Sequence, residues 1–148
     1  MASRRSETET TLRLRRTFAA PREKVFRAWT QPEELTKWWG PEGYATPSAE
    51  VDLRVGGKYR LGMMKLPDGK IFYLSGTYRE VRPPERLVYT WRWEAQPEHG
   101  ETLVTVEFRA VGDSTEVDLI HEVFPTQKAR DDHNRGWSGC LDRLAKGL

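Results

Sequence analysis

His121 is the residue best placed to move a proton. In the segment VDLIHEVF it alternates in step with Val117, Leu119 and Val123, so an imidazole shares a strand face with three aliphatic chains. An imidazole titrates near neutrality, and it can exchange a proton with a ligand or orient a carbonyl. The competing reading is a buried histidine held by a neighbour, because an inward polar group must find a partner. His133 stands one helical turn before Trp137 and is expected to approach the pocket mouth near His121. His99, in the turn PEHG, reads as solvated. Cys140 falls on an apolar helical stripe; His133 lies two turns away, too far to be its base, so the thiol reads as packing.

Other chemistries find no footing. Glu107, Asp118 and Glu122 fall on the polar strand faces, so two acids do not converge on a cleft as a glycosidase-type hydrolase requires. Gly56-Gly57 lacks the Lys-Ser/Thr of a phosphate loop. Ser75 and His121 could be written into a triad, but the G-x-S-x-G elbow is missing. His121 and His133 have no cysteine or carboxylate at ligand spacing, so neither a metal nor another cofactor is expected.

The aromatic residues carry a stronger signal. The chain has six tryptophans. Large aromatics line apolar ligand sites and also build ordinary cores. Trp137 and Trp91 are the leading candidates for the wall of a ligand site, with Trp39 beside them; Trp38 and Trp93 belong to the same set. Tyr73, Tyr89 and Tyr59 would add hydroxyls to orient a polar end. Met63 and Met64 would make the wall adaptable.

These residues must be positioned by a sheet and a long helix. From Thr126 to the C-terminus, Ala129, His133, Trp137, Cys140, Leu141, Leu144 and Leu148 recur at steps of three and four, the period of one helix face. Thr126 is the expected cap. Gly136 and Gly139 flank Trp137; glycine inside a helix costs about 1 kcal/mol against alanine, which suggests a packing or ligand reason. Upstream, residues 10–18 alternate as a half-buried strand, with Arg16 breaking the apolar side as at a sheet edge. Pro21 and Pro32 then open two short helices, and Gly40 stops the second. Residues 41–47 read as a loop. Period-two segments follow around Ala49–Val55, Tyr59–Met63, Lys70–Val81, Leu87–Trp93, Val104–Phe108 and Val117–Val123, separated by Gly- and Pro-containing turns. The expectation is an α+β fold: an antiparallel sheet of about seven strands, curved around a long C-terminal helix, with two short helices after the first strand. The gap between sheet and helix is the expected pocket.

Composition sets the remaining bounds. At 148 residues the chain suits one domain, placed at 10–148 behind a polar tail at 1–9. A net charge of +2, with 24 basic and 22 acidic residues largely interleaved, gives no nucleic-acid footprint. The single cysteine excludes an internal disulfide, no apolar run is long enough to span a membrane, and no apolar leader opens the chain, so a cytoplasmic protein is expected.

The stretches FAAPREKVFRAWTQPEELTKWWGP, VDLRVGGKYRLGM, YLSGTYREVRPPERLVYTWRW and VDLIHEVF followed by GWSGCLDRL resemble the START-like (SRPBCC) superfamily. Closer still is its branch named after the C-terminal domain of the activator of Hsp90 ATPase. The resemblance runs from about Phe18 to Leu148 and implies the helix-grip fold. It also implies three kinds of function: a cavity for an apolar or aromatic small molecule, an enzyme of the polyketide cyclase/hydrolase type using that cavity, or an Hsp90 co-chaperone-like interaction module with an Hsp90-type chaperone as partner. The small-molecule reading ranks first, with ligand-binding residues His121, Trp137, Trp91, Tyr73, Trp39, Tyr89, Met63 and His133.

Overall fold

Seven strands form one antiparallel sheet with β1 and β2 at its edges. The computed structural model describes residues 10–40, 43–96 and 100–148. The expected tail at 1–9 and the His99 turn lie outside the described residues. The elements run β1 (Leu12–Phe18), α1 (Arg22–Thr30), α2 (Pro32–Trp38), β2 (Tyr44–Val51), β3 (Lys58–Lys65), β4 (Ile71–Arg82), β5 (Arg86–Trp93), β6 (Thr102–Val111), β7 (Ser114–Glu122) and α3 (Gln127–Gly147). The sheet order is β1-β7-β6-β5-β4-β3-β2. Six strands thus follow as a meander, and β1 closes onto the last of them. This is the helix-grip arrangement: a curled half-barrel sheet around the C-terminal helix.

Local chemistry explains the ends of the elements. Pro32 occupies the first turn of α2, where its missing N–H costs nothing, and Glu33 and Glu34 face the positive end of the helix. The Thr126 hydroxyl accepts from the Ala129 N–H at 3.0 Å and caps α3. Along α3 the buried residues are Trp137, Cys140, Leu141 and Leu144, the expected stripe. Each large apolar chain so enclosed contributes about 1.5–3 kcal/mol. The polar strand faces carry ion pairs: Asp118 with Arg15 and Arg109, and Glu107 with Arg86. Arg16, on the apolar side of edge strand β1, reaches Asp142 of α3 at 2.8 Å. Among the described residues no helix is long and apolar enough to cross a membrane.

Three expectations need correction. Residues 44–47, read as loop, already belong to β2; Pro47 is tolerated because β2 is an edge strand with a bulge between Ala45 and Ser48. That strand also ends earlier than its alternation suggested. Leu53 and Val55 enter a tight turn, in which the Arg54 N–H bonds Asp52 O and the Gly57 N–H bonds Arg54 O, leaving Val55 66% exposed. Val123, placed inward with His121, is 60% exposed at φ 70°. That left-handed conformation is strained for a β-branched residue. It ends β7 and lets buried Phe124 lie against His121, ring centres 4.2 Å apart.

Candidate functional site

A cavity of about 190 Å³ opens where α3 stands off the sheet. The sheet contributes Met63 from β3 and Trp91 and Trp93 from β5, with Tyr44 from the start of β2. Trp39, just beyond α2, forms another side. The helix contributes Asp132, His133, Gly136, Trp137 and Cys140, one face of α3 over two turns. Trp39, Trp91 and Trp137 meet one another as an aromatic floor, with ring centres 5.2 to 5.5 Å apart.

Alternation on β5 explains why Trp91 and Trp93 share this side. Trp39 is held differently. Its carbonyl and those of Lys37, Gly40 and Tyr44 accept from the Arg143 guanidinium, with the shortest contact 2.7 Å to Gly40. One side chain of α3 therefore ties down the end of α2 and the start of β2. Gly40 takes φ 94° to make this turn.

His121 is fully buried behind the floor rather than in the cavity. The Trp137 indole N–H donates to its Nδ1 at 3.1 Å. An indole has only a proton to give, so Nδ1 must be the accepting nitrogen and Nε2 carries the hydrogen. Nε2–H then donates to Thr102 Oγ1 at 2.7 Å, and that hydroxyl donates to the Trp91 carbonyl at 3.3 Å. Burial, and next the charge His133 would carry, push the His121 pKa well below 6.5. The chain from Trp137 through His121 and Thr102 to Trp91 fixes a neutral imidazole with both ring nitrogens engaged.

His133 adopts the other tautomer at the cavity edge. The Trp93 indole donates to its Nε2 at 2.9 Å, and its Nδ1–H donates to the Ala129 carbonyl at 2.7 Å. Cys140 is buried, and burial raises its thiol to about 12, so it packs as an inert wall. Among the described residues no three His, Cys, Asp or Glu side chains converge as metal ligands.

The residues picked out in the sequence thus separate into groups. Trp39, Met63, Trp91, His133 and Trp137 come together around the cavity. Tyr73 points to the opposite sheet face, where the Arg60 guanidinium stacks 3.8 Å from its ring centre. Tyr89 lies deeper, accepting from the Trp29 indole at 3.3 Å. Neither lines the cavity. Tyr44, Asp132, Gly136 and Cys140 were not among the predicted site residues, and Trp93 was in the aromatic set but not among the residues named as ligand-binding. For Gly136 and Trp93 the signal was present, in an unexplained helical glycine and in the step of two from Trp91.

Residues 19–148 match the family described as Activator of Hsp90 ATPase homolog 1-like protein. Among solved structures, protein CV1439 from Chromobacterium violaceum is similar, with a TM-score of 0.83 and 31% identity over 93% of this chain and 96% of that one. An AHSA1 protein from Silicibacter pomeroyi is comparable, with a TM-score of 0.83 and 29% identity over 93% of this chain and 96% of its own. A Rhodobacter sphaeroides protein reaches a TM-score of 0.81 and 28% identity over 95% of this chain and 93% of its own. No curated protein matches the chain.

Proposed function

We propose that this chain, which belongs to the Activator of Hsp90 ATPase homolog 1-like family, binds an apolar or aromatic small molecule between its sheet and its C-terminal helix. The observation that carries the reading is the cavity of about 190 Å³, walled by Trp39, Trp91, Trp93 and Trp137. Concave, mostly aromatic sites with few polar groups are where small ligands gain most from leaving water. The family's cavity could host acid–base chemistry, but His121 lies outside the cavity with both nitrogens occupied.

A chaperone-docking role in the manner suggested by the family's name ranks below ligand binding. Among the described residues the exposed large apolar side chains are Val55, Leu66, Ile71, Val111 and Val123. They fall at four separate strand connections, so no one element presents a docking face. The test is thermal unfolding with α-methylstyrene, an apolar single-ring probe. A ligand that binds only the folded state raises the melting temperature by mass action. A dose-dependent rise supports binding; a melting temperature unmoved up to the probe's solubility limit refutes it.

A further inference from the structure

Five of the ten residues that line the cavity are aromatic. Trp39, Trp91 and Trp137 meet in one cluster, and Trp93 joins it against Trp91, ring centres 5.7 Å apart. Tyr44 is the fifth ring. An aromatic face is electron-rich and attracts a cation held within about 6 Å of its centre. Rings gathered this closely around one cavity let a compact cation meet several of them at once.

The same lining offers little to a ligand that needs hydrogen bonds. The indole N–H groups of Trp93 and Trp137 are spent on His133 and His121. The indole nitrogens of Trp39 and Trp91 are buried, out of reach of anything in the cavity. His133 takes the Trp93 N–H at Nε2 and gives Nδ1–H to the Ala129 carbonyl, so both nitrogens are engaged and the ring is uncharged. Among the described residues the lining includes no Lys or Arg, and its one charge is the Asp132 carboxylate. Lys128 and Arg135 pair with Asp132, but their side chains are 87% and 74% exposed, so water screens them.

Two kinds of ligand surface suit such a site: hydrocarbon and methylated ammonium. Neither carries an N–H or O–H that would go unpaired on burial. Only the second draws on the charge distribution of the rings and on that of Asp132. Size agrees. A cavity of about 150 Å³ suffices for benzene, so one of about 190 Å³ admits a trimethylammonium group with a short arm.

We infer that the cavity takes a small molecule with a quaternary ammonium head, seated among Trp39, Tyr44, Trp91, Trp93 and Trp137 with Asp132 as its counter-charge. This rests on the binding role proposed above and names the ligand class: the head shows only C–H to the wall and carries its charge behind the methyl groups. The deciding pair is choline and 3,3-dimethylbutan-1-ol, which share an outline and differ by N⁺ against carbon. Affinities are measured at one ionic strength. Choline is expected to bind about tenfold tighter than its neutral isostere. Asp132→Asn is expected to narrow that ratio, and Gly136→Leu, which fills the cavity, to abolish choline binding.

A neutral isostere that binds as tightly as choline overturns the inference and leaves the binding role standing. So does α-methylstyrene binding without choline binding. Choline binding that survives in Gly136→Leu also overturns it, because the cation then sits elsewhere. An unchanged ratio in Asp132→Asn overturns the part given to that carboxylate. If Gly136→Leu fails to fold, the tryptophan indole resonances of the unmodified protein locate the ligand. Choline that shifts Trp39, Trp91, Trp93 and Trp137 and spares Trp29 and Trp38 supports the inference; any other pattern refutes it. If choline, 3,3-dimethylbutan-1-ol and α-methylstyrene all fail to bind, the inference and the binding role fall together.

Discussion

The Trp137 indole N–H donates to Nδ1 of the fully buried His121 across 3.1 Å; burial keeps the imidazole neutral and this contact fixes its tautomer. Protonating Nδ1 would break the bond and bury an unpaired cation. Below pH 6.5 the unfolded chain binds a proton at this residue that the folded chain does not. The contribution of His121 is therefore favourable above the unfolded pKa and is progressively lost as pH falls through it. The loss steepens as pH falls below 6.5. His121→Gln, which cannot titrate, should flatten that slope relative to the unmodified protein in urea unfolding. Parallel stability curves for the two proteins would contradict this role.

Gly136 separates helix stability from binding. Alanine is favoured over glycine in a helix interior by about 1 kcal/mol. Its Cβ would enter open space on the cavity wall. Gly136→Ala is thus expected to raise the melting temperature, and Gly136→Leu to abolish α-methylstyrene binding while the protein stays folded. Undiminished binding by Gly136→Leu would remove this part of the cavity from the site.

Arg143 holds the wall from outside the cavity. Its guanidinium meets the carbonyls of Lys37, Trp39, Gly40 and Tyr44. Hydrogen bonds from a charged group contribute about 1.5–3 kcal/mol. Arg143→Met should lower urea stability by about that amount and weaken ligand binding, because Trp39 and Tyr44 lose their tether. Arg143→Lys should fall between, since an ammonium lacks the planar fork. A variant as stable as the unmodified protein would show that the segment is held by packing alone.

Much of this was legible in the residues. The three-and-four spacing from Ala129 to Leu148 identified α3 and its buried stripe, and strand alternation placed His121 inward, as its complete burial bears out. Side assignment failed where alternation was ambiguous. Ile71, Phe72, Tyr73 and Leu74 are all apolar or aromatic; Leu74 takes the core side, which turns Tyr73 out toward Arg60. The partners of His121 were not readable, because Trp137 and Thr102 come from α3 and β6 and meet it only through tertiary packing. The same limit hid Arg143, whose four carbonyl partners lie about a hundred residues upstream.

The central claim is that an apolar ligand enters between the sheet and α3. The most direct measurement is a titration of the ¹⁵N-labelled protein with α-methylstyrene, followed through the six tryptophan indole resonances. Trp39, Trp91, Trp93 and Trp137 wall the cavity and should move with one common affinity, whereas Trp29 and Trp38 do not line it and should move least. A titration that shifts none of the six, or shifts Trp29 and Trp38 as far as the other four, would contradict the account.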